Sequence, residues 1–373
     1  MNFTELINWL LENGGPIIGY KTVTELAKDP TNYNIEKLRS DLLESEIVQK
    51  WLHLKNFPGP TNFYGLHHSK SFVYENLMNK LIQLGLNSTF RSYDDLAQKS
   101  LEILGSLMSK HNDLFRHFAI ALILSFLCRS GYEKEELVRQ ALEIRFDALD
   151  DFTQVKNLDI YVDPAEFSRL PQSRRHDIVN PELYKDGKLR FPFIHDIWSF
   201  SGILKSKSYQ NKAELIQSII ELILTEDYQN LKRGYGIVVS SPTKAYSMGW
   251  SVHLPFFHNP DKLDLSEASL KKIRGSIASL FLQRLYLMSQ FPSARKSDWF
   301  TTCLEKLESY KTVKGTYLLP KSCLIERPSG YWVLGAYMGL GENRRVKNWR
   351  EIESTFWMAK IKKPSEHSYC RTK

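Results

Sequence analysis

Residues 118–128 read FAIALILSFLC, in which Ser125 is the single polar side chain. A membrane-spanning helix needs about 20 apolar residues, so a stretch of this length is typical of a helix buried inside a globular domain. Gly131 follows where such a helix should end, because glycine readily adopts the left-handed conformation that closes helices. The stretch therefore predicts a helix that is buried on all sides, and no transmembrane segment.

An amphipathic helix is predicted directly after this buried one. Residues 134–146 read KEELVRQALEIRF, and Leu137, Ala141 and Leu142 recur at the spacing of one helical face. Such a stripe packs on a core while the opposite, charged face meets water. The two stretches form a pair, with the apolar helix inside and the amphipathic helix outside.

The same pair recurs along the chain. The predicted pairs are Phe3–Leu11 with Tyr20–Ala27, Tyr74–Leu86 with Tyr93–Met108, Phe118–Ser130 with Lys134–Phe146, Phe193–Lys205 with Lys212–Leu224, Ile277–Ser289 with Asp298–Tyr310, and Tyr331–Gly341 with Asn348–Ile361. Buried helices that alternate with amphipathic ones are typical of a ring or solenoid. The predicted fold is all-α, with repeated helix pairs that form an α/α toroid.

Three parts are predicted along the chain: an N-terminal helical cap over residues 1–50, the α/α-toroid domain over 51–363, and a basic tail over 364–373. Leu52–Ser71 is expected to be a linker because it contains Pro58, Gly59 and Pro60. Polar insertions at about 147–192 and 228–266 interrupt the repeats, and Ile237–Val239 is expected to form a short strand. Long loops on a helical scaffold often carry function.

Composition excludes several classes of protein. Of 373 residues, 42% are hydrophobic and 25% are charged, which are ordinary values for a globular protein and exclude a disordered or collagen-like chain. The four cysteines are far apart, the N-terminus lacks a basic leader, and the net charge of +8 shows no clustering along one helix. We therefore expect a cytoplasmic protein with reduced thiols and no specific signal for nucleic acid. The oligomeric state is left open.

Two segments carry a resemblance to a known family. Trp9-Leu10-Leu11-Glu12, followed by Pro16-Ile17-Ile18-Gly19-Tyr20-Lys21-Thr22, resembles the opening of bacterial squalene-cyclase-like proteins, and Arg327-Pro328-Ser329-Gly330-Tyr331-Trp332 resembles a closing segment of the same proteins. These proteins belong to the terpenoid cyclase and protein prenyltransferase superfamily. The resemblance implies an α/α toroid with a central cavity for an isoprenoid or another amphipathic molecule.

The standard catalytic motifs of that superfamily are missing. Asp147-Ala148-Leu149-Asp150-Asp151 has one residue too many for the Asp-x-Asp-Asp acid, and Asp94-Asp95-Leu96-Ala97-Gln98 ends in glutamine where a diphosphate site needs a third aspartate. The zinc set of prenyltransferases has no counterpart, and no P-loop or dinucleotide fingerprint is present. The sequence therefore predicts neither a metal nor an organic cofactor, and does not decide whether the protein is an enzyme.

Candidate catalytic residues are His195 and Asp196, in the segment FPFIHDIW at 191–198. They open a predicted inner helix, and one set of inner-helix ends lines the cavity of a toroid. A histidine beside a carboxylate is suited to acid–base catalysis. The alternative is that Asp196 stabilises the start of the helix next to packed aromatic rings.

Most candidate ligand-binding residues precede or open the inner helices, and Trp250 and His253 lie in the second insertion. The candidates are His68, Tyr74, Glu75, Arg116, His117, Trp198, Trp250, His253, Arg327 and Tyr331. If these helix ends converge, His68, His117, His195 and Arg327 form a basic rim around an aromatic-lined cavity. Such a rim suits an anionic head on an apolar body, such as a prenyl diphosphate or a fatty acid. The alternative is an ordinary set of polar loops.

Three functions stay open at this point. The first is a protein that binds or transforms an isoprenoid or other amphipathic small molecule in a central cavity. The second is a carbohydrate-active (α/α) barrel enzyme, which needs two carboxylates about 5 to 10 Å apart, with Glu75, Asp147 and Asp196 as candidates. The third is a helical-repeat interaction scaffold without catalysis. The family resemblance favours the first.

Overall fold

The computed structural model describes residues 1–56, 63–70, 73–109, 115–155, 158–266 and 277–363. These residues are mostly helical, which confirms the all-α class. The helices are α1 (Phe3–Asn13), α2 (Pro16–Lys21), α3 (Ile35–Glu44), α4 (Glu46–Leu52), α5 (Phe63–Leu66), α6 (Tyr74–Leu84), α7 (Arg91–Met108), α8 (Arg116–Leu127), α9 (Glu136–Thr153), α10 (Ile194–Ile203), α11 (Ala213–Ile223), α12 (Glu226–Asn230), α13 (Ile277–Met288), α14 (Pro292–Arg295), α15 (Asp298–Glu308) and α16 (Trp349–Lys362).

Buried and amphipathic helices alternate as the sequence predicts. Every residue of α8 from His117 to Leu127 is buried, whereas α9 buries one face and exposes Asp147, Asp150 and Asp151 on the other. These three aspartates belong to α9, so the predicted insertion at 147–192 begins later, after Thr153. The helical period of the apolar positions explains the continuation of α9, because Ala148, Leu149 and Phe152 extend its buried face.

The prediction of an inner helix over residues 331–341 is wrong. In this segment only Trp332–Leu334 form a single 3-10 turn, and Gly335 has a left-handed φ of 76°. A Cβ on Gly335 would lie 2.5 Å from the carbonyl carbon of Ser279 in α13, so only glycine permits this approach. The high content of aromatic and apolar residues here reflects burial of a non-helical segment.

The expected strand at 237–239 is confirmed, and it belongs to a hairpin. Strand β1 (Gly236–Ser241) pairs antiparallel with β2 (Lys244–Met248), with Val238 opposite Tyr246. Within the described residues this is the one sheet. The hairpin lies in the second predicted insertion, between helical segments.

The chain divides into two compact units. Unit 1 comprises Met1–Leu96 and Pro255–Lys373, and unit 2 comprises Ala97–Leu254. The predicted boundary between a cap and a toroid at residue 50 lies inside unit 1. The predicted basic tail, 364–373, lies outside the described residues.

Unit 2 is built on contact between α8 and α10. Both helices are almost completely buried, and they approach closely at Gly202, where a Cβ would lie 2.5 Å from the Cys128 carbonyl. Helix α9 packs on α8, and α11 packs on α9 through its buried isoleucine face. Gly202 lies at the C-terminal end of α10. The candidate catalytic residues, His195 and Asp196, lie in the first turn at the opposite end.

Unit 1 contains α6, α13 and α16 together with the segment 330–341. Asn76 of α6 accepts a hydrogen bond from the Trp332 backbone N–H (2.9 Å), and Gln283 of α13 donates to the Trp332 carbonyl (2.8 Å). These side chains replace the helical hydrogen bonds that the segment lacks. The 330–341 segment is therefore held from both sides.

A partly buried ion-pair cluster joins the N-terminal and C-terminal parts of unit 1. Glu25 lies 2.5 Å from the Lys21 ammonium and 2.6 Å from that of Lys360. Burial alone would raise the pKa of Glu25, but the two lysine charges outweigh it and lower the pKa to about 2. The cluster connects α2 and the turn after it to α16.

In the part of the chain that the structure describes, every helix is too short or too polar to cross a bilayer. This agrees with the interpretation of residues 118–128 as a buried helix.

Candidate functional site

The strongest polar cluster in unit 2 is centred on Arg145 and Asp196. Arg145 comes from the buried face of α9, and Asp196 comes from the first turn of α10. The Arg145 Nε and Nη2 donate to the two Asp196 oxygens at 2.9 and 2.8 Å, a bidentate pair. The Phe193 backbone N–H donates to Asp196 Oδ2 at 2.9 Å. Both residues are at most 1% exposed.

All five N–H groups of Arg145 are engaged. Besides Asp196, they reach the carbonyls of Leu189 (2.7 Å) and Phe191 (2.9 Å) and the Nδ1 of His117 (3.2 Å). A buried arginine with every donor satisfied fixes its surroundings. Here it fixes the loop that leads into α10, and Asp196 acts as its partner in this arrangement. The catalytic role that the sequence suggests for Asp196 stays a prediction.

His117 carries no charge that could contribute to a basic rim, and Arg116 bonds to backbone carbonyls. Burial lowers the pKa of His117 to about 3, and the adjacent Arg145 charge adds to the effect, so His117 is neutral at pH 7. Because Arg145 donates to Nδ1, the ring proton lies on Nε2. Arg116 donates to the carbonyls of Leu107 (2.9 Å) and Met108 (3.3 Å) at the end of α7. Both residues have structural partners.

His195 lies among aromatic rings. The Phe118 ring meets it edge-on at 5.4 Å, and the Trp250 ring does so at 6.1 Å. Trp250 has a left-handed φ of 72°, and its carbonyl accepts the Ile194 backbone N–H at 2.9 Å. Strained backbone beside a buried histidine is common at functional sites. The structure thus brings the His195 and Trp250 rings into contact. The catalytic role of His195 and the ligand-binding role of Trp250 stay predictions.

Trp198 and His253 are the other two ligand-binding candidates of unit 2. The Arg129 guanidinium stacks on the buried Trp198 ring at 4.5 Å. His253 is partly buried, and its backbone N–H donates to the Ser251 carbonyl at 3.0 Å. The cation–π contact gives Trp198 a packing role.

In unit 1, His67 is the buried histidine with a carboxylate neighbour. The sequence-based candidate was the next residue, His68. The His67 Nδ1 lies 2.5 Å from Glu75 Oε2; Glu75 is fully buried, and His67 is 7% exposed. The Tyr331 ring stacks on the His67 imidazole, with centroids 4.7 Å apart and planes inclined by 22°. An antiparallel bridge between Lys70 and Ser329 brings the two chain segments together. Glu75 and Tyr331 therefore both contact His67. Their predicted role in ligand binding stays a prediction.

The remaining candidates of unit 1 lie elsewhere. His68 is partly exposed and accepts the Lys70 backbone N–H at 3.3 Å. The Tyr74 hydroxyl donates to the Leu96 carbonyl, deep in the core. Arg327 is exposed. His68 and Arg327 therefore lie at the surface of unit 1. A basic rim would require both side chains to line a cavity.

Arg284 is a buried residue that the sequence analysis missed. It lies in α13 and is 3% exposed, and its Nη1 donates to Gln283 Oε1 at 3.0 Å. Its Nε has no hydrogen-bond partner among the described residues. Burial lowers its pKa to about 9. The signal in the sequence was an arginine inside an otherwise apolar helix, Ile277–Met288.

Comparisons of the chain with protein families, with curated proteins and with solved structures each find no match.

Proposed function

We propose that the protein binds a small amphipathic molecule and exchanges a proton with it through His67. The observation that carries the proposal is the buried pair of His67 and Glu75, 2.5 Å apart, with Tyr331 stacked on the imidazole. A histidine fixed by a carboxylate is a common device for acid–base catalysis.

In this proposal, Nε2 of His67 is the nitrogen that exchanges the proton. When His67 is neutral, its Nδ1–H donates to Glu75 and its Nε2 keeps the lone pair. When Nε2 takes a proton, the Glu75 carboxylate stabilises the imidazolium, as a buried aspartate does in a catalytic triad. The stacked Tyr331 ring restricts rotation of the imidazole. The same carboxylate–histidine arrangement also orients imidazoles that ligate metals, so the test includes zinc.

The amphipathic class of ligand rests on the apolar helices and the family resemblance. Unit 2 alternates the buried helices α8 and α10 with the amphipathic helices α9 and α11. This alternation supports the α/α-toroid architecture and the squalene-cyclase-like relationship, both of which belong to the proposal. The fold by itself does not define a reaction, so the site carries the functional argument.

The three described carboxylates that the sequence offers for the carbohydrate-active alternative have different surroundings. Asp147 is exposed on α9, both oxygens of Asp196 accept bonds from Arg145, and Glu75 bonds with His67. A glycosidase needs one acid and one base or nucleophile across the sugar. Asp196 and Glu75 are thus engaged with cationic or imidazole partners, which does not favour this function.

The first experiment is native mass spectrometry of the purified protein, followed by lipid extraction. Isothermal titration calorimetry then measures binding of farnesol and dodecanoate in buffers of different ionisation enthalpy, which reports the protons exchanged on binding. We expect a co-purified or added amphipath to bind with proton exchange. His67→Gln should abolish the exchange, and the matched control His68→Gln should preserve it.

Two outcomes would contradict the proposal. One is that neither probe binds and no lipid co-purifies. The other is that His67→Gln and His68→Gln exchange the same number of protons as the wild-type protein. Parallel titrations with zinc chloride and with EDTA distinguish a metal-ligating His67: tight zinc binding that is lost in His67→Gln would replace proton transfer by metal binding.

A further inference from the structure

Among the described residues, Arg284 is a buried cation of unit 1 without a carboxylate partner. Within the described residues, no ion pair includes Arg284, and its one hydrogen bond goes to the neighbouring Gln283. The Gln283 side chain is itself fixed, because its amide nitrogen donates to the Trp332 carbonyl at 2.8 Å. The guanidinium is therefore held in place but not neutralised.

The helical neighbours of Arg284 are all apolar. Residues three and four positions away on a helix share its face, and here they are Leu280, Phe281, Leu287 and Met288. Phe281, Leu287 and Met288 are fully buried. A charge on such a stripe costs several kcal/mol of desolvation unless an anion compensates it.

A strained aromatic residue borders the same stripe. Phe256 has a left-handed φ of 62°, and its ring meets the Phe281 ring edge-on at 5.7 Å. The preceding carbonyl, of Pro255, accepts the indole N–H of Trp299 at 2.9 Å, which holds the turn. A non-glycine residue in this conformation costs about 1–3 kcal/mol. The turn thus presents an aromatic wall one helical turn before Arg284.

We propose that Arg284 binds the oxyanion head, a carboxylate or a phosphate, of a small ligand whose apolar part lies along Phe256 and Phe281. The planar guanidinium matches both anions through paired N–H donors, and the Nε–H is a donor without a partner in the described chain. This inference goes beyond the function proposed for His67. It rests on a different side chain, and its test measures anion binding and not proton exchange.

The test is thermal unfolding of the full chain at pH 7 and constant ionic strength, in sodium chloride, phosphate, acetate or octanoate. The variants are Arg284→Met and, as the matched control, Arg327→Met, which removes an exposed arginine of the same unit. A ligand at 100 times its Kd shifts the folding equilibrium about 100-fold. We expect phosphate or the carboxylates to raise the Tm of the wild type and of the control, and not of Arg284→Met.

The chloride measurement separates a binding arginine from a structural one. Because Arg284→Met removes an uncompensated buried charge, its Tm in chloride should equal or exceed that of the wild type. A rise with phosphate alone identifies a phosphate head, and a rise with octanoate or acetate alone identifies a carboxylate head. A larger rise in Tm with octanoate than with acetate supports binding of the apolar part along Phe256 and Phe281.

Three results would overturn the proposal. The first is a wild-type Tm that no anion raises. The second is the same anion-dependent rise in Arg284→Met as in the wild type. The third is a Tm of Arg284→Met in chloride well below that of the wild type. If Arg284→Met does not fold, Arg284→Lys replaces it: lysine lacks the planar fork, so an undiminished rise in that variant would also overturn the proposal.

Discussion

Glu353 makes the stability of unit 1 depend on pH near neutrality. It lies in α16, fully buried, and its oxygens accept the Glu342 backbone N–H (3.1 Å) and the Arg344 Nη2 (3.2 Å). Burial raises the pKa of Glu353 from its ordinary 4.5 to about 7, which the partly exposed Arg344 only moderates. The perturbation that tests this is Glu353→Gln, which keeps the shape and removes the titration.

The sign follows from proton binding. Between pH 4.5 and 7 the folded state holds a proton on Glu353 that the unfolded state has released, so the free energy of unfolding falls as pH rises. A pKa difference of about 2.5 corresponds to about 3 kcal/mol at full effect. This loss is complete above pH 7. Glu25, whose pKa is lowered, is ionised in both states from about pH 6 upward and does not contribute to the slope there.

The assay is guanidinium chloride unfolding at pH 5, 6, 7 and 8, followed by tryptophan fluorescence. The wild type should lose stability between pH 5 and 8, and Glu353→Gln should show a flatter profile. The matched control is Glu12→Gln, which removes an exposed carboxylate of the same unit and should retain the wild-type slope. Equal slopes in Glu353→Gln and the wild type would refute the reasoning.

Three further predictions follow from the structure: two concern carboxylates in ion pairs, and one concerns a close helix contact. Asp196→Ala leaves the Arg145 guanidinium buried without a carboxylate and should destabilise unit 2 by about 3–5 kcal/mol in urea unfolding. Glu25→Gln should flatten the loss of stability between pH 4.5 and 2, because the wild-type pKa is about 2 and the pairing with its two lysines is lost as pH falls through that range. Gly202→Ala should cost about 1–3 kcal/mol, because its Cβ would lie 2.5 Å from the Cys128 carbonyl.

Each of these predictions has a matched control. Asp147→Ala removes an exposed carboxylate of unit 2 and should change stability by less than about 0.5 kcal/mol. Glu12→Gln should keep the wild-type acid profile. Gly249→Ala adds a Cβ with no atom within 4 Å and should be tolerated. A variant that behaves like its control would contradict the corresponding prediction.

The helices of this chain are predictable wherever their apolar pattern is continuous. The stretch 118–128 is apolar all round, and α8 is buried all round; Ile277–Ser289 matches α13 within one residue. The segment 331–341 is as apolar as these stretches, but Asn76 and Gln283 satisfy its backbone from other elements. Such long-range hydrogen bonds leave no periodic signal, so a local pattern could not distinguish this segment from a helix.

The candidate sites were predictable only in part, for a related reason. The sequence places His67 and His68 side by side, and only the fold shows that His67 meets Glu75. Glu75 and Tyr331 were identified because they lie near predicted helix starts. Arg284 was missed because charged residues on a helix normally face solvent, and its burial follows from packing on both sides of α13.

The buried cations Lys80, Arg145 and Arg284 have similar burial but different hydrogen-bond partners. Lys80 donates its three N–H groups to Glu326 and to the carbonyls of Tyr337 and Gly339, at 2.6–3.0 Å. Arg145 satisfies all five of its donors in the same manner. Each fixes a non-helical segment against a helix, and each is neutralised by a carboxylate. Arg284 is similarly buried, but in the described chain it has no carboxylate partner and donates only to Gln283. In our proposal, the anionic head of a ligand takes the place of that carboxylate.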